Sequence, residues 1–95
     1  MTTSTTVARR IIEPDGKPCA ELPPGLDDAS LRDLLVHMLR VRCVDERMLK
    51  LQRAGRIGFV GSMLGLEAAL IGTAAALKPQ DWMWSGLREW GAAFL

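Results

Sequence analysis

A mainly α fold is what the sequence predicts. Two stretches repeat apolar residues every three or four positions, and no stretch alternates apolar and polar residues long enough to build a sheet. The chain has 95 residues, 48% of them apolar, a composition that excludes an unfolded chain. At this length a domain buries only roughly 60–65% of its unfolded surface. A partner covering one face would therefore add much to its stability.

Residues 1–27 read as an extended leader. Thr and Ser dominate its start, and Pro14, Pro18, Pro23 and Pro24 forbid a helix through the rest. Within it, Pro14-Asp15-Gly16 is a turn signal, since Pro presets φ and Gly accepts φ > 0.

The first helix is expected over residues 28–54. Asp27 or Asp28 can cap its first N–H groups. Leu31, Leu34, Leu35, Met38, Val41, Met48 and Leu51 fall on one face. Arg42 with Glu46, and Glu46 with Lys50, stand four apart as exposed ion pairs. Arg53 suits the negative end of the helix, and Gly55 can take the left-handed stop. Residues 56–62 read as a loop with some extended character.

The second helix is expected from about Leu64 to Leu77, ended by Lys78 and Pro79. Its single charge, Glu67, marks a helix made for a larger apolar body. Residues 80–86 form a turn and a short extended stretch. A helical start follows near Leu87, with Leu87, Trp90, Phe94 and Leu95 at helix-like spacing. Because no cap or polar tail follows AAFL, the chain reads as cut within this pattern.

Few function classes survive the totals. Twelve basic against eleven acidic residues, net +1, leave no footprint for nucleic acid or an anionic membrane. No run approaches the roughly 18 apolar residues of a membrane span, and no secretory leader is legible, so a cytoplasmic protein is expected. Cys19 and Cys43 belong to no ligand set, and no disulfide is expected between them. His37 reads as a surface or interface residue. Gly55, Gly58, Gly61 and Gly65 do not have dinucleotide-loop spacing, and no Walker, zinc-protease or nucleophile-elbow motif occurs. The inventory yields no catalytic residue and no metal ligands.

Four landmarks in order carry a resemblance instead. Met38, Arg42, Asp45 and Arg47 follow the pattern MxxxRxxDxR. Gln52-Arg53-Ala54-Gly55-Arg56-Ile57 is similar to QRQGRI, and Gly65-Leu66-Glu67-Ala68 to GQEA or GEEA. Asp81-Trp82 leading to Leu87-Arg88-Glu89 is similar to DWVFPxYRE. Residues 30–95 thereby resemble the start of E1 alpha subunits of the pyruvate, branched-chain 2-oxoacid and acetoin dehydrogenase complexes.

That resemblance implies an oxidoreductase of α/β fold, with residues 28–95 as the N-terminal helical part, truncated before the cofactor-binding sheet. It implies thiamine diphosphate and Mg²⁺ at an interface with an E1 beta subunit in an α2β2 assembly. It also implies oxidative decarboxylation of a 2-oxoacid, with acyl transfer to the lipoyl domain of the acyltransferase E2. The family's GDG…NN metal motif is expected beyond Leu95, so no cofactor binding is expected of the 95 residues alone. The family's Tyr-Arg pair on the diphosphate corresponds to Leu87 and Arg88, making these the candidate cofactor-binding residues. Arg88 keeps the planar fork, whereas Leu87 lacks the hydroxyl. Glu67 is expected to serve packing or hydrogen bonding, because the family places its thiamine-activating glutamate on the beta subunit. Pyruvate-type members carry histidines where this chain has Gly61 and Trp90, departures that favour a branched-chain or less usual member. The alternative reading is a non-catalytic helical interaction module, or a degenerate remnant of that subunit.

Overall fold

A 26-residue helix, α1 (Asp28–Arg53), carries the architecture, followed by α2 (Glu67–Ala75) and a 3-10 helix (Trp90–Phe94). The computed structural model describes residues 10–95; the Thr/Ser start of the leader lies outside them. Among the described residues there is no strand, only one isolated antiparallel bridge between Ile12 and Pro18. The mainly α reading therefore holds for this chain.

The leader is less extended than its prolines predict. The Ile12–Pro18 bridge closes a tight hairpin around Pro14-Asp15-Gly16. Glu13 N–H donates to the Lys17 carbonyl at 2.8 Å, and Asp15 Oδ1 accepts the Lys17 N–H at 3.0 Å. The turn signal thus works at close range, bending residues 11–19 back on themselves.

Both ends of α1 are built by local chemistry. Asp27, not Asp28, is the cap: its Oδ1 accepts the Ser30 N–H at 2.8 Å. At the other end Arg56 N–H reaches the Leu51 carbonyl and Gly55 N–H the Gln52 carbonyl, both at 2.9 Å. That pair is a Schellman closure, and Gly55 provides its left-handed residue at φ +68°.

α2 is shorter than its apolar pattern predicts, starting at Glu67 rather than Leu64 and ending at Ala75 rather than Leu77. The early residues are diverted into a turn. Leu66 N–H bonds the Met63 carbonyl at 2.8 Å, with Gly65 at φ +87° between them. At the far end Ala76 and Leu77 bond back three residues instead of four, tightening the last turn before Lys78-Pro79. Asp81 then accepts the Lys78 N–H at 2.8 Å and fixes the turn that follows.

The third helical start also differs from expectation. Leu87 and Arg88 form a turn, and the helix runs only from Trp90. The Arg88 and Trp90 side chains bond the distant Ser62 and Gly61 carbonyls, which holds the backbone off a helical path.

The core is small. Val41 of α1, Met63 of the connection, and Leu70 and Ile71 of α2 are buried, flanked by Leu34, Met38 and Trp90. Gly91 sits where any side chain would collide: a Cβ there would lie 2.6 Å from Met63 Sδ and 3.0 Å from Val41 Cγ1. The remaining apolar stripe of α1 is only partly covered, and Leu35 and Leu39 are exposed. The outward face of α2 is small residues, Ala68, Ala69, Gly72, Thr73 and Ala75. Its large residues point inward, so the bulky exposed apolar groups lie elsewhere, on α1 and at Trp82, Trp84 and Leu87.

Two substitutions test this packing. Ile71→Ala should cost about 2–5 kcal/mol, the range for emptying a buried aliphatic site. Gly91→Ala should destabilise by about 1–3 kcal/mol through overpacking against Met63. Urea unfolding followed by circular dichroism measures both; a Gly91→Ala protein as stable as the parent would contradict the packing described.

Candidate functional site

A carboxylate in the core-facing stripe of α1 organises the centre of the chain. Asp45 lies one helical turn past Val41 and is only 2% exposed. A bare carboxylate at such depth is costly, so it must be met by donors. Met63 N–H donates to Oδ1 at 2.9 Å and Ser62 Oγ donates to Oδ2 at 2.8 Å. One side chain of α1 thereby holds the connection 61–63 against the helix.

The turn at 87–91 packs on the same connection. Arg88 Nη1 donates to the Ser62 carbonyl at 2.7 Å, and Trp90 Nε1 donates to the Gly61 carbonyl at 3.3 Å. Gly91 N–H lies 3.2 Å from Met63 Sδ. Gly61 is required for this approach. A Cβ on it would stand 2.6 Å from the Leu87 carbonyl oxygen and 3.2 Å from Leu87 Cγ. A histidine at position 61 and the present path of Leu87 are therefore incompatible.

The two candidate cofactor residues differ in surroundings. Arg88 is exposed, and among the described residues no carboxylate lies within ion-pair distance of its guanidinium. One donor is committed to Ser62, and the remaining N–H groups of the fork are left for an anion. Leu87 is 64% exposed and offers only a hydrocarbon surface. Trp82 and Trp84 stack at 5.8 Å between ring centroids, and both are more than four-fifths exposed.

A second polar contact ties the two helices. Arg42 Nε donates to Glu67 Oε1 at 2.8 Å, and Gly65 N–H donates to Oε2 at 3.0 Å. The expected partner of Arg42, Glu46, is displaced by Glu67, twenty-five residues away in sequence. Geometry decides this: Glu67 is buried at the start of α2 and needs a counter-charge, while Glu46 is exposed to water. The hydrogen bond from Arg42 holds the Glu67 carboxyl below the ordinary carboxylate range, against desolvation, which pushes the other way. Glu67 raises Arg42 in turn, by the same hydrogen bond and by charge attraction. Glu67 thus has the hydrogen-bonding role expected of it.

Cys19 and Cys43 are free and exposed. His37 is half-buried, and among the described residues its Nδ1 finds no partner. Gly55 and Gly65 serve chain reversals, and Gly61 a close approach. No group of three metal-ligating side chains occurs among the described residues, and no described helix is long and apolar enough to cross a membrane. Sequence reading gave Asp45 no role. Its signal was available: a lone carboxylate on the stripe that also carries Met38 and Val41.

Stability should follow Glu67 with pH. Its folded pKa lies below the ordinary value of 4.5, so its contribution is fully present above that value and is lost as pH falls through the folded one. Asp27, lowered by its bond from Ser30, acts in the same direction. Urea midpoints should therefore drop below about pH 4.5, and Glu67→Gln should flatten that drop without abolishing it. An equally steep decline in Glu67→Gln would show that the pair does not carry the effect.

Comparison with known proteins bears on this arrangement. The family described as dehydrogenase E1 component matches residues 36–95. The pyruvate dehydrogenase E1 component subunit alpha of Bacillus subtilis (strain 168) is 38% identical over 66 residues, 70% of this chain and 18% of that protein. The subunit of the same name from Staphylococcus epidermidis (strain RP62A) is 35% identical over 81 residues, 84% of this chain and 22% of that protein. That of Staphylococcus aureus (strain Mu50) is 35% identical over 69 residues, 73% of this chain and 19% of that protein. The chain thus spans about a fifth of the length of these relatives. No solved structure matches it at a significant level.

Proposed function

From the premise that the chain belongs to the dehydrogenase E1 component family, we propose that it supplies the diphosphate-binding arginine of a thiamine-dependent 2-oxoacid dehydrogenase alpha subunit. The observation that carries this reading is the state of Arg88. Its guanidinium is exposed, held by one bond to the Ser62 carbonyl, and free of any carboxylate among the described residues.

The donor set fits a phosphate. A guanidinium anchored through one N–H presents its other donors in a rigid plane, the geometry that engages two phosphate oxygens at once. Arg88 would bind and orient the diphosphate, and Leu87 would contribute apolar cover without a hydrogen bond. When bound, thiamine diphosphate supplies the carbon nucleophile that attacks the oxo group of a 2-oxoacid. The Mg²⁺ that accompanies the diphosphate would take its ligands from residues other than those described. Nothing in 10–95 is assigned a proton-transfer step. The partners of this reading are an E1 beta subunit, a lipoyl acyltransferase E2 and a cytoplasmic setting.

Two observations pull on the substrate. The named relatives are pyruvate dehydrogenase subunits. The chain lacks the pyruvate-type histidines at Gly61 and Trp90, and Gly61 excludes one on steric grounds. The class common to both is a 2-oxoacid, with a branched-chain acid favoured by the residues and pyruvate by the relatives. The interaction-module reading keeps one supporting observation, the exposed Trp82–Trp84 stack.

In the alpha–beta assembly, Arg88→Ala should weaken thiamine diphosphate binding about ten- to hundredfold, the scale of one charge-assisted bidentate contact of roughly 1.5–3 kcal/mol. Arg88→Lys should recover part of it, because the charge stays and the fork is lost. Leu87→Tyr should tighten binding modestly by adding one hydroxyl donor. Calorimetric titration at constant Mg²⁺ reads all three, and unchanged affinity in Arg88→Ala would make this arginine an ordinary surface charge.

A further inference from the structure

We propose that Asp45 is the positioning residue for Arg88, acting through the backbone of Ser62 and Met63. Its two carboxylate oxygens are both used, and both on this one connection: Oδ1 on Met63 N–H and Oδ2 on Ser62 Oγ. The peptide between Ser62 and Met63 is therefore gripped from its N–H side. The carbonyl of that same peptide is the one that accepts Arg88 Nη1 at 2.7 Å. A peptide unit is rigid and planar, so fixing its N–H fixes the direction of its carbonyl. Asp45 on one side and Arg88 on the other thus hold opposite ends of a single peptide dipole, and the negative carboxylate at the N–H end polarises the carbonyl toward the guanidinium.

The contact has few substitutes. Asp45 is buried, so water does not replace it on Met63 N–H, and the N–H would be left unsatisfied. The neighbouring bonds from Trp90 to Gly61 and from Gly91 to Met63 Sδ hold the turn near the connection but do not touch the 62–63 peptide. The Arg42–Glu67 pair braces the same two helices through other atoms, so it reports on the fold independently of Asp45. This assignment rests on the diphosphate reading for its meaning in catalysis; the geometry itself stands apart from any cofactor.

The test uses the chain without ligand. Nitrogen NMR of arginine side chains measures how fast each guanidinium rotates about its Nε–Cζ bond, and a hydrogen-bonded Nη slows that rotation. Asp45→Ala should speed Arg88 rotation by about tenfold, the scale of one hydrogen bond to a charged group. The Arg42 Nε–H resonance, fixed by its bond to Glu67, should not shift. Asp45→Asn should restore most of the effect, because the amide oxygen still accepts Met63 N–H. Ser62→Ala keeps the carbonyl that Arg88 binds, removes only the hydroxyl, and should move Arg88 in the same direction by less. If Asp45→Ala does not fold, Ser62→Ala decides. Arg88 unmoved in the folded variants overturns the proposal. So does Arg88 loosening together with a shift of the Arg42 Nε–H resonance, which would make Asp45 a general brace. Failure of the diphosphate reading is separate, because it shows only in the cofactor titration of Arg88→Ala.

Discussion

One buried carboxylate sets the tertiary arrangement of this chain. With Val41, Met63, Leu70 and Ile71 as its buried cluster, the apolar core is too small to fix the path of the long connection between α1 and α2 by packing alone. Asp45 does it by directional bonds. A buried charge costs several kcal/mol unless it is satisfied, so only the conformer that brings Ser62 and Met63 to it is tolerated. The requirement converts an energetic liability into a unique fold, and it seats Met63 between α1 and α2 as a consequence.

The second buried acid works in the same way at the other end of the contact. Glu67 meets Arg42 across the helix pair and folds back on Gly65, so the start of α2 is defined by where its carboxylate can be satisfied. Arg42 is half exposed, which keeps the cost of burying the pair low. Together the two acids fix α1 at Arg42 and Asp45, three residues apart, and the apolar residues pack beside them. Polar groups therefore give this small core its register, while Val41, Met63 and Ile71 give it cohesion.

The candidate site is layered on that frame. Asp45 lies deepest, the 62–63 peptide lies over it, and Arg88 lies outermost in water. Such an arrangement suits an anion site that depends on arginine geometry, because the charged group stays solvated and ready while its direction is set from below. The close approach at Gly61 has a cost in chemistry. It lets Leu87 and Trp90 settle on the connection and leaves no room for an imidazole there. Gly61 and Trp90 thus meet directly, through the Trp90 indole N–H on the Gly61 carbonyl.

Much of this was legible in the residues. The span of α1, its Asp27 cap and its Gly55 stop follow from contacts within four or five residues, and short-range chemistry is what a sequence displays. The family resemblance was legible too, through motifs that stand in order. The choice of Glu67 over Glu46 as the partner of Arg42 was not, nor was the shortening of α2, nor the conversion of the predicted helix at 87 into a turn. The partner choice and the turn at 87 depend on a donor or acceptor at least twenty-five residues away, at Glu67, Ser62 or Gly61. Local propensity is worth tenths of a kcal/mol per residue, whereas an unsatisfied buried charge is worth several. Where the two compete, the tertiary contact wins, and it leaves no periodic trace in the sequence.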